Sequence, residues 1–291
     1  MTRAQAMQAI GRACLERFVE QAKLIVKTQS PVGVHQARVA SRRLRAGMSL
    51  FKPLLADPQS RRVNGDLWTL AAELGKARDL DVMLKRLGEL EFPGEVDLSP
   101  LIHQLETRRY MAYGDVVHIL QPARLDPILL ETTAWVERGD WLKDADKAQA
   151  RARAKPVESF AVDELQRRTR ALRRAVKRLD HLEDTERHRV RIKAKKVRYG
   201  AEFFTPLAPG KHGHKAAKAF VGALKPLQDC LGGLNDIVTS GQMLRDLGRT
   251  YIAVGFAAGA AADEIERTKN HLLHGAKKAA EDFIEAKLFL D

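Results

Sequence analysis

The chain has 291 residues, of which 45% are hydrophobic, 30% charged and only 11 proline, with a formal net charge of +13. These proportions exclude a disordered segment and a disulfide scaffold, and no apolar run approaches the roughly 20 residues that span a bilayer. The surplus charge is concentrated in residues 151–198, which hold 17 basic and 7 acidic side chains; that attracts anionic partners without saying which. Cys14 and Cys230 lie far apart on apolar helical faces and are expected as two small buried thiols in a reducing compartment. The N-terminus lacks the continuous apolar stretch of a signal peptide, so a soluble cytoplasmic protein is expected.

Helical periodicity runs through nearly the whole sequence, and no stretch has the alternation of a strand. A first helix is predicted from about Thr2 to Lys27, stopped by Ser30-Pro31, because the residue before proline is pushed out of the helical region. A second runs to about Leu55, ahead of Asp57-Pro58. A third spans about Arg61 to Leu90 and is broken by Phe92-Pro93-Gly94. Asp97 or Ser99 then caps a fourth, to about Leu120. Residues 121–159 read as a boundary, with a short apolar piece from Ile128 to Trp135, the charged run Lys143 to Lys155, and Trp135 and Trp141 packing the connector onto a bundle. The pattern then restarts: a basic helix to about Leu182, a helix to about Phe204, one from about His214 to Leu247 and one from about Ala253 to Lys287.

The second and sixth of these helices share one motif. Val34–Phe51 and His188–Phe204 both contain H-x-x-R-x-x-x-[RK]-[RK]-x-R, so that His35, Arg38, Arg42, Arg43 and Arg45 align with His188, Arg191, Lys195, Lys196 and Arg198 at an offset of 153. On a helix, His35, Arg38, Arg42 and Arg45 fall within an arc of roughly 80° over about 15 Å of axis. Along one side lies an apolar seam, Ala37, Leu44, Met48 and Phe51, repeated as Val190, Ala194, Val197, Ala201 and Phe204. Along the other lie Val39, Ala46 and Leu50, repeated as Ile192, Tyr199 and Phe203. Apolar rows on both flanks predict that the cations face protein or an enclosed groove, since an ordinary surface helix puts its charges opposite the core. No carboxylate occurs between Val32 and Phe51 to relieve their repulsion.

A second pair of segments repeats in step. Leu74-Gly75-Lys76-Ala77-Arg78-Asp79 matches Leu231-Gly232-Gly233-Leu234-Asn235-Asp236 at an offset of 157. Two motifs kept in order at near-equal spacing predict an internal duplication, with residues 1–145 and 146–291 as two four-helix halves. A pseudo-twofold axis between such halves would bring both cationic rows to one central cavity or groove.

The two stripe helices, Arg78-Asp79-Leu80-Asp81 and the stretch Leu227 to Asp236 together resemble the CHAD family, named for conserved histidines on an α-helical domain. The resemblance covers nearly the whole chain. It implies an all-α fold of two four-helix bundles around a basic cavity, and a module that binds inorganic polyphosphate. Relatives fused to a tunnel-type triphosphatase carry E-x-E-x-K, which is absent here, so a stand-alone module is implied. Lys195 and Lys196 replace arginines and Asn235 stands where the first half has Arg78, so the halves need not contact a ligand equally.

Polyphosphate presents regularly spaced charge and no bases, so arrayed arginine forks and lysine point charges suffice to read it. Arg38, Arg42, Arg45, Arg191, Lys195 and Arg198 are the expected direct contacts, with Arg43 and Lys196 at the rim. His35 and His188 can donate to phosphate and gain charge when an anion raises their pKa. The basic helix Arg167–Arg178 reads equally as solvated surface or as part of the site. His212/His214 and His271/His274 lack the companion ligands of a metal centre. No nucleophile with a partnered base, Gly-rich phosphate loop or carboxylate pair points to catalysis, and no cofactor is expected. Nucleic acid is the rival ligand, because phosphate contacts alone would satisfy the same cations. It is disfavoured by scarce aromatics at core spacings, since base recognition uses exposed rings. A protein–protein scaffold ranks third.

Overall fold

The computed structural model describes residues 1–55, 57–92, 95–143 and 147–290. The fold is all-α, and among the described residues no strand occurs. Two compact units are defined by the packing: residues 1–82 with 106–160, and residues 83–105 with 161–291. This division differs from a cut at 145/146. The connector through Phe160 belongs to the first unit because it packs there, through Arg3 N to Lys155 O and the Phe51–Phe160 ring pair at 5.0 Å.

In the first unit, helix α1 (Arg3–Thr28) begins with a capping box in which Thr2 and Gln5 satisfy each other's backbone N–H groups. It ends where Gln29 turns left-handed at φ 48°. Ser30 then caps helix α2 (Pro31–Leu50) through Gly33 N, with Pro31 at the position where a missing N–H costs nothing. The predicted break at Ser30-Pro31 is therefore a change of direction between two helices. Gly33 and Gly47 face α1 so closely that a Cβ would come within 3.0 Å of Ile25 and 2.9 Å of Ile10. These two helices pack at small-residue distance.

Helix α3 (Pro58–Leu87) starts three residues before the predicted Arg61, because Asp57 accepts from Ser60 N at 2.8 Å and holds the first turn. Of the predicted Phe92-Pro93-Gly94 break, Pro93 and Gly94 lie outside the described residues. Helix α4 (Ser99–Ile119) is preceded by Asp97, which accepts from Ser99 N. The expected short apolar piece is in fact helix α5 (Pro122–Arg138), which runs through Pro127. Its residue Val136 packs on Gly11, and Glu137 pairs with Arg12 at 2.6 and 2.7 Å. Trp135 and Trp141 are buried as expected, Trp135 donating to Ser60 Oγ and Trp141 to Trp135 O. Helix α6 (Lys147–Ala154) lies inside the charged run and is tied down by buried Arg153, which donates to Lys143 O.

In the second unit, helix α7 (Val157–Val176) leads to helix α8 (Asp184–Phe204), whose Glu183–Glu186 capping box fixes its start. Helix α9 (Gly210–Thr250) is 41 residues long and passes through Pro226. Helices α8, α10 (Gly255–Arg267) and α11 (Lys269–Glu285) pack against it. The expected single last helix is split at Thr268, whose N–H and hydroxyl both turn back to Ile265 O. Phe220, Phe283 and Phe289 gather beneath α9, with centroids 5.9 and 6.0 Å apart. Among the described residues, no helix is long and apolar enough to cross a membrane.

Candidate phosphate-binding stripes

On α2, the seam Ala37, Leu44, Met48 and Phe51 is fully buried, as predicted. Ser41 lies in the same seam and donates to Leu67 O of α3, which fixes the two helices against each other. The cationic row runs along the edge of this α2–α3 contact. Arg38 lies over Gly75, where a Cβ would be 3.4 Å from its Nε, and its Nη2 is 3.9 Å from Asp79. Arg45 donates to the neutral Asn64 at 3.1 Å. His35 is half-buried beside Arg78, Arg42 and Arg38, and burial first, then those three cations, hold its pKa below the ordinary histidine value. Its Nδ1 is buried without a hydrogen-bond partner among the described residues, as is Arg42 Nε. Among the described residues neither Arg42 nor Arg78 is paired with a carboxylate.

The second row repeats this placement along α8 and α9. Val190, Ala194, Val197, Ala201 and Phe204 are buried, and His188, Arg191, Lys195 and Arg198 follow the groove edge. Here His188 Nδ1–H donates to Asn235 Oδ1 at 2.5 Å. Arg198 is bound to Glu202 at 2.7 Å and to Gln228 at 2.9 Å, so this cation is already partly neutralised. In both units, then, the stripe helix lies beside the helix that carries the second repeated motif, with histidine next to Arg78 or Asn235.

Two expectations change. The second apolar flank is buried only in part: Leu50 is buried, Ile192 is 39% exposed, and Val39, Ala46, Tyr199 and Phe203 are half-buried. At 100° per residue this row lies roughly opposite the packed seam. Arg43 also leaves the stripe. It points to α1, where it contacts Cys14, whose thiol burial pushes its pKa up to about 11. Lys196 is exposed on α8. Neither cysteine is in a disulfide; Cys14 is buried and Cys230 half-buried.

The basic helix α7 is less available than its composition implies. Buried Glu164 takes Arg167 at 2.6 and 2.8 Å and Arg168 at 2.6 Å, and Arg173 donates to Ala286 O. Arg170, Arg174 and Lys177 remain exposed.

Sequence reasoning missed three sets of cations. Arg78 was read as part of a motif, yet it completes the first stripe from the facing helix. Arg86, in the last turn of α3 and itself part of the second unit, sits within reach of Asp236 of the same unit. Lys218 and Lys225 line a groove of about 380 Å³ with Arg198, Glu202 and Thr205. Their seven-residue spacing, continued from Lys211, was a legible signal for one helical face.

The sequence matches the CHAD domain family over residues 9–245. The crystal structure of the CHAD domain from the plant Ricinus communis is similar, with a TM-score of 0.78 and 26% identity over 97% of this chain and 92% of that chain. PptA from Streptomyces chartreusis shares the fold at a TM-score of 0.61 and 17% identity, covering 98% of this chain and 99% of that one. Comparison with curated protein sequences finds no match. The paired motifs, the all-α architecture and the family match agree: the chain belongs to the CHAD domain family.

Proposed function

We propose that the protein is a non-catalytic cytoplasmic module that binds inorganic polyphosphate along its two His/Arg/Lys stripes, at polyphosphate granules. The observation that carries this reading is the first stripe. His35, Arg38, Arg42 and Arg45 stand in one row, Arg78 faces them from α3, and Asp79 lies 3.9 Å from Arg38. Like charges gathered on a half-buried edge cost free energy until an anion joins them. A linear polyanion answers every position of such a row, because each phosphate offers acceptor oxygens to the next fork. Membership of the CHAD family supports the same ligand.

The test is a direct binding measurement at physiological salt with long-chain polyphosphate and an RNA of matched charge. Polyphosphate is expected to bind more tightly; the reverse order would transfer the assignment to RNA. The log of affinity should fall steeply with log salt, as counterions are displaced. Polyphosphate should also raise the melting temperature by linkage, and no shift at saturation would contradict the proposal.

A further inference from the structure

Beyond His188 the stripe face of α8 continues with Asp184 in place of a cation, and the groove between α8 and α9 continues as a cavity of about 350 Å³, with Arg187 and Arg189 beside it. Its α9 wall is apolar, formed by Leu231, Leu234 and Val238. Leu231 and Leu234 are otherwise buried, and Val238 is 41% exposed at the mouth. A chain of phosphates has no apolar atoms, so this wall does nothing for polyphosphate. Polar groups stand around it: Thr185 and Thr239, and the Asn235 amide, whose oxygen is taken by His188 while its NH₂ remains a donor. The acid in the cavity, Asp184, is already held by Arg187 at 2.6 Å and Lys269 at 3.8 Å. Arg189 at the rim has no ion pair among the described residues and presents a guanidinium plane.

An apolar slot with an amide donor and a free guanidinium, at the end of a row of phosphate-binding cations, matches a molecule that is apolar and planar at one end and polyanionic at the other. A guanidinium stacks on bases, and asparagine pairs with base edges. The volume lies at the small end of ligand cavities, which fits a nucleobase with its ribose. From His188 to Lys195 the helix advances about 10 Å, roughly the length of a triphosphate. We propose that this groove seats the nucleoside of a nucleoside triphosphate whose phosphates lie on His188, Arg191 and Lys195. The inference rests on the reading of the stripe as a phosphate site and adds a nucleoside specificity to it.

Calorimetric titration of the whole protein with ATP, inorganic tripolyphosphate and long-chain polyphosphate, in one buffer at physiological salt, tests it. ATP is expected to bind at least about 5-fold more tightly than tripolyphosphate. In Val238→Gln, a neutral change at an exposed position, that margin should shrink below about 2-fold with tripolyphosphate affinity unchanged. Asn235→Ala should reduce the margin as well. Equal affinities for ATP and tripolyphosphate in the wild type would overturn the proposal while leaving polyphosphate binding intact. So would a margin that both variants leave untouched, which would put the nucleoside elsewhere. If ATP bound with the Val238-dependent margin while long polyphosphate failed to bind, the polyphosphate reading would fall and the groove would stand.

Discussion

The stripe on α2 and the stripe on α8 carry one pattern and differ in what faces them. Opposite His35 stands Arg78, so the imidazole is surrounded by cations and its Nδ1 is buried without a partner among the described residues. Opposite His188 stands Asn235, whose Oδ1 accepts a hydrogen bond from the imidazole N–H. Arg45 meets a neutral amide, whereas Arg198 at the same register meets the carboxylate of Glu202. A helix motif therefore sets where cations can stand, and the neighbouring helix sets how strongly they want an anion. The first stripe is the more demanding of the two.

The largest expected effect breaks the comparison outright. Replacing Arg38, Arg42 and Arg45 by alanine should weaken polyphosphate binding about 100-fold or more at physiological salt, from charge-assisted contacts of about 1.5–3 kcal/mol each that are not fully additive. The matching change at Arg191, Lys195 and Arg198 should cost about 10-fold. Circular dichroism should report unchanged helicity in both. Equal losses would mean that the facing residues do not matter.

Exchanging those residues sharpens the point. Arg78→Asn should weaken binding about 5-fold and raise the His35 titration midpoint, read by NMR. Asn235→Arg should strengthen binding by adding a cation to the second stripe. A midpoint of His35 that did not move would show that Arg78 is not its main cationic neighbour.

The pH dependence follows with a definite sign. Because the folded protein holds the His35 pKa below its unfolded value, the unfolded chain binds the extra proton first, and stability falls as pH drops below about 6.5. An anion on the stripe favours imidazolium, so binding should take up a proton there. Polyphosphate affinity should rise about 3-fold between pH 8 and pH 6, and the ligand-induced gain in melting temperature should be larger at pH 6. His35→Gln should flatten both slopes. A pH-independent affinity in the wild type would contradict the placement of His35 in the site.

The smallest effect tests the acid at the second stripe. Glu202→Gln should raise affinity about 2-fold by releasing Arg198, at a stability cost within about 0.5 kcal/mol, as partly exposed pairs four apart on a helix contribute little. An unchanged affinity would place Arg198 outside the binding path.

Much of this arrangement was legible in the sequence because helical period alone orders residues on a cylinder. The buried seams and the line of His35, Arg38, Arg42 and Arg45 follow from spacing. What escaped depends on neighbours. The apolar piece from Ile128 to Trp135 is the later part of a helix that begins at Pro122 and runs through Pro127, since a proline in the first turns breaks little. Helix α6 has no apolar seam to announce it, and its anchor is the buried guanidinium of Arg153. Thr268 has no sequence mark of a breaker, yet it splits the last helix. Arg43 sits next to Arg42 in sequence but about 100° away on the helix, which turns it to Cys14. Within the row of Val39, Leu50 and Ile192 burial ranges from full at Leu50 to 39% exposed at Ile192, because apolar character does not fix a direction when the other face already packs.

Gly75 gives the first stripe an adjustable spacer. The guanidinium of Arg38 lies over the bare backbone there, within 3.4 to 3.8 Å of the space a methyl would take, whereas the counterpart Gly232 has nothing within 4 Å. Side chains of growing size at position 75 would act as a graded wedge, lifting one fork away from its helix by steps of less than a bond length. The spacing of the first two cations in the row would then become a dial, turned from the opposite helix without touching a single charge.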